Sequence, residues 1–225
     1  MLYLLDTGNI DDIKRACDLY PITGVTTNPT LIARERSDFL GLLARIREVI
    51  GADAMLHVQA VSKAAAGIVE EACYLYEQVG GNLYVKIPVM AEGIKAIKLL
   101  KRLGIKTTAT AVFTPPQALM AAVAGSDFVA PYVNRLDNIC GDGVRVVGEI
   151  VELFRVHNLP TRVLAASFKN TEQVHQASLA GSQAVTVSPE ILDLLLGHPL
   201  TGASVEQFVK DWEGVYGPGK VTTDV

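Results

Sequence analysis

Eight times along this chain a short run of β-branched and apolar residues gives way to a helical stretch, and few folds accommodate eight such units. The runs are Tyr3–Asp6, Gly24–Asn28, Met55–Ala60, Leu83–Val89, Lys106–Phe113, Asp127–Val133, Arg162–Phe168 and Ala184–Ser188. Between them lie amphipathic segments with apolar residues three or four apart, among them Phe39–Ile50, Ala64–Val79, Ile94–Leu103 and Val144–Val156. Turn signals separate the two kinds: Gly80-Gly81-Asn82, Gly104, Gly125 and Asn158-Leu159-Pro160. Eight βα units in 225 residues predict an α/β fold, a (β/α)8 TIM barrel near the short end of its size range. A doubly wound sheet is the main competitor, but eight units is many for one. No GxGxxG follows the first run, so a dinucleotide fingerprint is absent.

After the eighth run come a helix near Glu190–Leu196 and a further amphipathic segment, Ser204–Trp212, which carries Phe208 and the only tryptophan. A barrel has no need of that last helix. The expectation is a single domain over 1–225 with an added C-terminal helix at 200–214, placed at a subunit contact or packed on its own barrel.

Composition narrows the function classes. With 49% hydrophobic and 20% charged residues the chain is apolar for a soluble protein, as strands covered on both faces require. A net charge of −4 argues against a nucleic-acid surface driven by counterion release. The longest uncharged stretch, Thr107–Ser126, is broken by Thr114-Pro115-Pro116-Gln117 and rich in small residues, so no membrane span is expected. The first residues have no basic flank and no cleavage site, so no signal peptide is expected. Cys17, Cys73 and Cys140 are scattered and lack CxxC spacing, which favours a reducing, cytoplasmic setting over a disulfide framework. The four histidines do not cluster and no carboxylate–histidine spacing suggests a metal site; no cofactor is expected.

In a barrel the carboxyl ends of the strands build the active site, so polar residues late in each run are the ones to weigh. The runs supply Asp6; Thr26, Thr27 and Asn28; Gln59; Lys86; Thr108 and Thr110; Tyr132 followed by Asn134-Arg135; Ser167 followed by Lys169; and Thr186 with Ser188. Alternation puts Asp6 on a face with Leu4, Lys86 with Tyr84, Tyr132 with Ala130 and Ser167 with Ala165. One polar side chain per strand at the same end marks a site.

Lys86 is the sharpest of these. Between Val85 and Ile87 its ammonium would be desolvated, which favours the neutral amine that Schiff-base chemistry on a carbonyl requires. The plainer readings are an ion pair with a buried carboxylate such as Asp6, or a surface lysine. Asp6 alone could be a strand-end cap, and Asn28-Pro29 reads as an N-cap with proline at the first helical position. Gln59 could be a satisfied core amide and Tyr132 barrel packing with its hydroxyl at the mouth. Arg135, Ser167 and Lys169 follow late strands, where this fold binds phosphate, although Arg135 could equally pair with Asp137. His57 shares the Gln59 face and reads as a core or supporting histidine.

Taken together these residues resemble the small transaldolases and fructose-6-phosphate aldolases. The matching segments are Leu5-Asp6-Thr7, Gly24-Val25-Thr26-Thr27-Asn28-Pro29, Val85-Lys86-Ile87-Pro88-Val89 with Glu92-Gly93, Ala130-Pro131-Tyr132-Val133-Asn134-Arg135, Leu164-Ala165-Ala166-Ser167-Phe168-Lys169 and Phe208–Trp212. The resemblance implies that Lys86 forms a Schiff base with a ketose and that Asp6 acts at the sugar hydroxyls and in proton transfer. It gives Asn28 and Thr110 the dihydroxyacetone portion, and Arg135 with Ser167 and Lys169 the phosphate. It also implies a decamer of two pentamers, with the C-terminal helix reaching a neighbouring subunit.

Two positions separate the branches of that family. Transaldolases carry glutamate in strand three and usually phenylalanine in strand six; the aldolases carry glutamine and tyrosine. Gln59 and Tyr132 take the aldolase side. In that branch Tyr132, through a water held with Gln59, would protonate the enamine. The sequence departs from those aldolases at His57, where they carry phenylalanine, and at Phe113, where they carry tyrosine. The expected activity is cleavage of fructose 6-phosphate to dihydroxyacetone and glyceraldehyde 3-phosphate. The alternatives are transaldolase transfer to erythrose 4-phosphate, and a barrel that binds sugar phosphate without catalysis.

Overall fold

The computed structural model describes all 225 residues. All eight runs are strands: β1 (Leu2–Asp6), β2 (Ile22–Thr26), β3 (Met55–Gln59), β4 (Leu83–Pro88), β5 (Thr107–Val112), β6 (Phe128–Pro131), β7 (Arg162–Ala165) and β8 (Ala184–Val187). Each pairs in parallel with the next, and β8 returns to β1, closing a (β/α)8 barrel. Closure removes the free edges that an open sheet would expose.

The barrel helices are α1 (Ile10–Leu19), α2 (Pro29–Arg34), α3 (Phe39–Ile50), α4 (Ala65–Val79), α5 (Ala91–Arg102), α6 (Pro115–Ala124), α7 (Val133–Asp137), α8 (Gly143–Val156) and α9 (Thr171–Leu179), followed by α10 (Pro189–Leu194). Several of their starts are set by side chains that accept the unpaired amide protons of the first turn. Asn28 accepts from Thr30 and Leu31, so the Asn28-Pro29 cap is present as expected. Thr114 and Gln117 form a reciprocal capping box around Pro115 and Pro116. Glu92 and Gly93 also do structural work. Glu92 accepts from the Ala65 amide at 2.8 Å. A Cβ at Gly93 would lie 2.1 Å from the Pro88 carbonyl oxygen, so only glycine lets α5 approach β4 this closely.

Two strands are shorter than expected by three residues each. The run through Val133 stops being a strand at Pro131 because residues 133–137 wind into α7. The run through Phe168 stops at Ala165, and Ser167 turns the chain with φ +61°. Pairing nonetheless continues for two more residues, Val133 to the Ala166 carbonyl at 2.9 Å and Asn134 to the Ser167 carbonyl at 2.7 Å.

Inward side chains stack in layers drawn from alternate strands, as barrel geometry requires. At the amino ends of the strands, Leu4, Met55, Tyr84, Phe128, Leu164 and Ala184 form an apolar cluster. By register, His57 and Thr108 follow, then the level of Thr26, Lys86, Ala130 and Thr186, then that of Asp6, Gln59, Thr110 and Ala166.

The chain divides into two compact units, Met1–Ile191 and Leu192–Val225. The second contains α11 (Pro199–Tyr216), longer at both ends than the amphipathic pattern suggested, and a short 3-10 turn at Thr222–Asp224. Within it Trp212 and Tyr216 meet with ring centroids 4.3 Å apart, while Val205, Phe208, Val209 and Val215 are exposed. No helix of the chain is long and apolar enough to cross a membrane.

Candidate active site

At the carboxyl ends of the strands a cavity of about 140 Å³ is lined by Asp6, Thr26, Asn28, Lys86, Thr110, Tyr132, Arg135, Ser167 and Thr186, with Ala130, Leu164 and Ala166 as its apolar lining. All nine polar residues of that lining are among the strand-end residues noted in the sequence.

Lys86 enters that space from β4, buried among the strands. Its Nζ donates to the Thr27 carbonyl oxygen at 2.6 Å. Asp6 makes no ion pair with it, because the Asp6 carboxylate instead accepts from the Thr26 hydroxyl at 2.6 Å. Burial lowers the Lys86 pKa from its ordinary value of 10.5, and the Asp6 charge partly opposes that shift. The ammonium thus has one neutral acceptor and a carboxylate at longer range, an environment that eases loss of its proton.

The Thr26 hydroxyl also lies 2.7 Å from the Thr186 hydroxyl. With its own proton committed to Asp6, Thr26 accepts the one from Thr186. A directed chain of hydroxyls therefore ends on the Asp6 carboxylate and holds it at the cavity wall.

Opposite, the Tyr132 and Thr110 hydroxyls are 3.0 Å apart. A bulge in β5 prepares this contact: register shifts between Ala109 and Val112, and Ala111 takes φ +55°. The Tyr132 and Phe113 rings form a T-shaped pair with centroids 5.6 Å apart, and the Arg135 guanidinium lies over the Tyr132 face at 4.9 Å. The ion pair of Arg135 with Asp137 does not form. Asp137 accepts from Gln173 at 2.6 Å and from the Gly143 amide at 2.9 Å. Arg135 is left facing the cavity with no carboxylate partner.

Ser167 reaches the cavity by a route that alternation missed. Strand parity put it with Ala165, but Leu164 and Ala166 are the inward residues, and the left-handed turn at Ser167 brings that side chain in beside them. Gln59 and Lys169 are not brought in. Gln59 sits opposite Lys86 in register, yet lines an adjoining, mostly apolar cavity of about 320 Å³ with Asn28, Phe39, Val58 and Tyr74. Lys169 is exposed, and its backbone amide donates to Gln173 at 2.7 Å.

Two participants were given no role by sequence. Thr186 carried a usable signal, a hydroxyl between Val185 and Val187 on a buried strand, and was noted only as a polar strand-end residue. The Thr27 carbonyl carried none, since backbone acceptors leave no trace in residue types. His57 lies beneath the site, fully buried and stacked on Tyr84 at 4.6 Å, with Nδ1 2.9 Å from the Thr108 hydroxyl and Nε2 without a partner.

A closed barrel with a desolvated lysine and a held carboxylate at the carboxyl ends of its strands defines a barrel enzyme with a small, polar active site. The sequence matches the transaldolase/fructose-6-phosphate aldolase family over residues 3–217, and the chain belongs to that family of aldolases and transaldolases. A solved structure of a flavocytochrome b2 variant with sulfite bound is similar with a TM-score of 0.60 at 14% identity, over 84% of this chain and 56% of that one. This chain thus spans little more than half the length of that protein, and at such identity the likeness concerns the barrel fold alone.

Proposed function

We propose that this protein is a class I aldolase that cleaves fructose 6-phosphate to dihydroxyacetone and glyceraldehyde 3-phosphate and runs the reverse addition. The observation that carries the reading is Lys86, a buried amine with lowered pKa projecting into a cavity that also holds Asp6, Thr110, Tyr132 and Arg135. In this mechanism neutral Lys86 attacks C2 of the ketose, and loss of water gives an iminium. Asp6 takes the proton of the C4 hydroxyl. The C3–C4 bond then breaks, its electron pair flowing into the iminium to leave an enamine, and the phosphorylated aldehyde departs from the Arg135 side. Tyr132 delivers a proton to the enamine carbon, and hydrolysis frees dihydroxyacetone. Asn28 and Thr110 hold the dihydroxyacetone portion, and Arg135 with Ser167 holds the phosphate.

Gln59 and Tyr132 at the branch-distinguishing positions support the lyase over the transferase. A second reading, transfer of the three-carbon unit to erythrose 4-phosphate, has one observation in its favour. Gln59 lines the adjoining cavity, which leaves Tyr132 without the amide that the aldolase outcome uses. Measuring glyceraldehyde 3-phosphate release with and without erythrose 4-phosphate separates the two. Release without acceptor supports the aldolase, and release only with it overturns that reading in favour of the transferase. Borohydride reduction in the presence of dihydroxyacetone tests the covalent step; no added mass on Lys86 would leave only a sugar-phosphate binder.

The assembly belongs to the same proposal. The exposed Phe208 and Val209 of α11 support a helix that docks on a neighbouring subunit, with two pentamers forming a decamer. Sedimentation of the intact protein checks the mass.

A further inference from the structure

Arg135 is an exposed residue at the cavity, yet its guanidinium is not without a partner. It lies over the face of the Tyr132 ring at 4.9 Å, while that ring also meets Phe113 edge-to-face and its hydroxyl meets Thr110. One cation therefore has two competing partners, the aromatic face and the anionic end of the substrate. We infer that Arg135 links the two ends of the reaction: phosphate occupancy draws its charge off Tyr132, and phosphate departure returns it, so that proton delivery to the enamine is timed to the absence of the phosphorylated aldehyde. This rests on the aldolase reading of the site.

The physical basis is the charge that develops on the tyrosine oxygen. When Tyr132 gives its proton to the enamine carbon, the enamine π electrons form the new C–H bond and the nitrogen lone pair re-forms the iminium. A phenolate remains, to be reprotonated from water. A cation held on the ring face stabilises that phenolate, and a dianion bound to the same cation cancels the help. With glyceraldehyde 3-phosphate in place the enamine is preserved for carbon–carbon bond formation. Once the aldehyde has left, Arg135 settles on the ring and the enamine is quenched. Asp137, two residues on, does not compete for it, being held by Gln173 and the Gly143 amide.

The test uses the intact enzyme with dihydroxyacetone alone, which fills the Lys86 side and leaves the phosphate side open. In deuterium oxide, the carbon-bound hydrogen of dihydroxyacetone exchanges through the enamine and is followed by NMR while phosphite dianion is added. The expected result is a fall of about threefold in the exchange rate at saturating dihydroxyacetone, the scale of one cation–π contact, with the KM for dihydroxyacetone unchanged. Phosphite must also compete with fructose 6-phosphate in the cleavage assay over the same range. Arg135→Gln is expected to exchange at the phosphite-saturated rate and to ignore phosphite.

A rate that stays level or rises with phosphite overturns the inference, as does a change in KM alone or a lack of competition in the cleavage assay. The wild-type titration decides the matter even if the variant does not fold. Failure of the underlying reading looks different: no exchange without phosphite and no borohydride-trapped mass on Lys86.

Discussion

The two ends of the same eight strands carry opposite interiors. At the amino ends Tyr84 and Phe128 lie within an apolar cluster, and the nearby cations stay outside it, Lys106 5.3 Å from the Tyr84 ring and Arg162 4.3 Å from the Phe128 ring. At the carboxyl ends the cation is inside, as Lys86, and hydroxyls and a carboxylate surround it. The same strands run through both ends, so the difference lies in which residues occupy the inward positions and in the bulge and turn that bring Thr110 and Ser167 to the cavity. The lower half gains stability from dispersion and apolar burial. The upper half gives up apolar packing to hold an amine where it loses its proton easily, a cost the lower half offsets.

Exchanging the key residue of each half separates these roles most sharply. Lys86→Met is expected to lower cleavage of fructose 6-phosphate by more than about a thousandfold, as loss of a covalent nucleophile does. Its stability in urea is expected to stay level or rise by about 1 kcal/mol, because a desolvated amine is replaced by an apolar chain. Retained turnover would sink the covalent reading. Phe128→Ala is the converse. The side chain is fully buried, so the loss is about 3–5 kcal/mol of unfolding free energy. Lys86 should still be trapped by borohydride in whatever fraction stays folded. A loss below about 1 kcal/mol would mean the lower cluster is not what holds the barrel.

Within the upper half, Tyr132→Phe is expected to slow free dihydroxyacetone formation by about a hundredfold, the ordinary worth of a positioned proton donor. Transfer to an added aldehyde should fall much less. Equal losses in both would count against tyrosine as the donor. Thr110→Val removes only the hydroxyl that holds Tyr132 at 3.0 Å, and a loss of about five- to tenfold is expected in the same assay.

The same contrast explains what was legible in the sequence. Periodicity and turn residues located all eight strands, because buried parallel strands and amphipathic helices leave repeating patterns. Polar residues in apolar runs located most of the cavity for the related reason that each is costly there without a purpose. What could not be read was anything decided by backbone conformation. Ser167 enters through a positive φ, and Thr110 meets Tyr132 beside a bulge that leaves Ala111 left-handed, with no glycine at either point to advertise it. Gln59 shows the limit of alternation at a strand end. Its register is inward, yet its side chain lines the neighbouring cavity once the strand gives out.

His57 lies on the border between the two halves and offers the finest test of the contrast. Its ring stacks on Tyr84 like a member of the apolar cluster, but Nε2 has no hydrogen-bond partner. Burial pushes its pKa well below the ordinary 6.5, with the positive charges of Lys86 and Arg162 adding to the effect. The folded state therefore keeps the imidazole neutral at pH values where the unfolded chain protonates it. The stability this neutral ring contributes is fully present above pH 6.5 and is lost as pH falls towards the folded value, by up to about 1.4 kcal/mol per pH unit. Lys86, also lowered, begins its slope at a higher pH, below its ordinary 10.5, and is common to both proteins compared next. His57→Phe places a third apolar ring between Tyr84 and Phe128 and removes the unpaired nitrogen, at the expense of the partner of Thr108. At pH 8 the two proteins are expected to differ by no more than about 1 kcal/mol. Between pH 6.5 and 5 the wild type should lose stability that the variant keeps. Parallel unfolding curves over that range would show that the ring is charged in the fold, and the border between dry and polar interior would then run below His57 rather than above it.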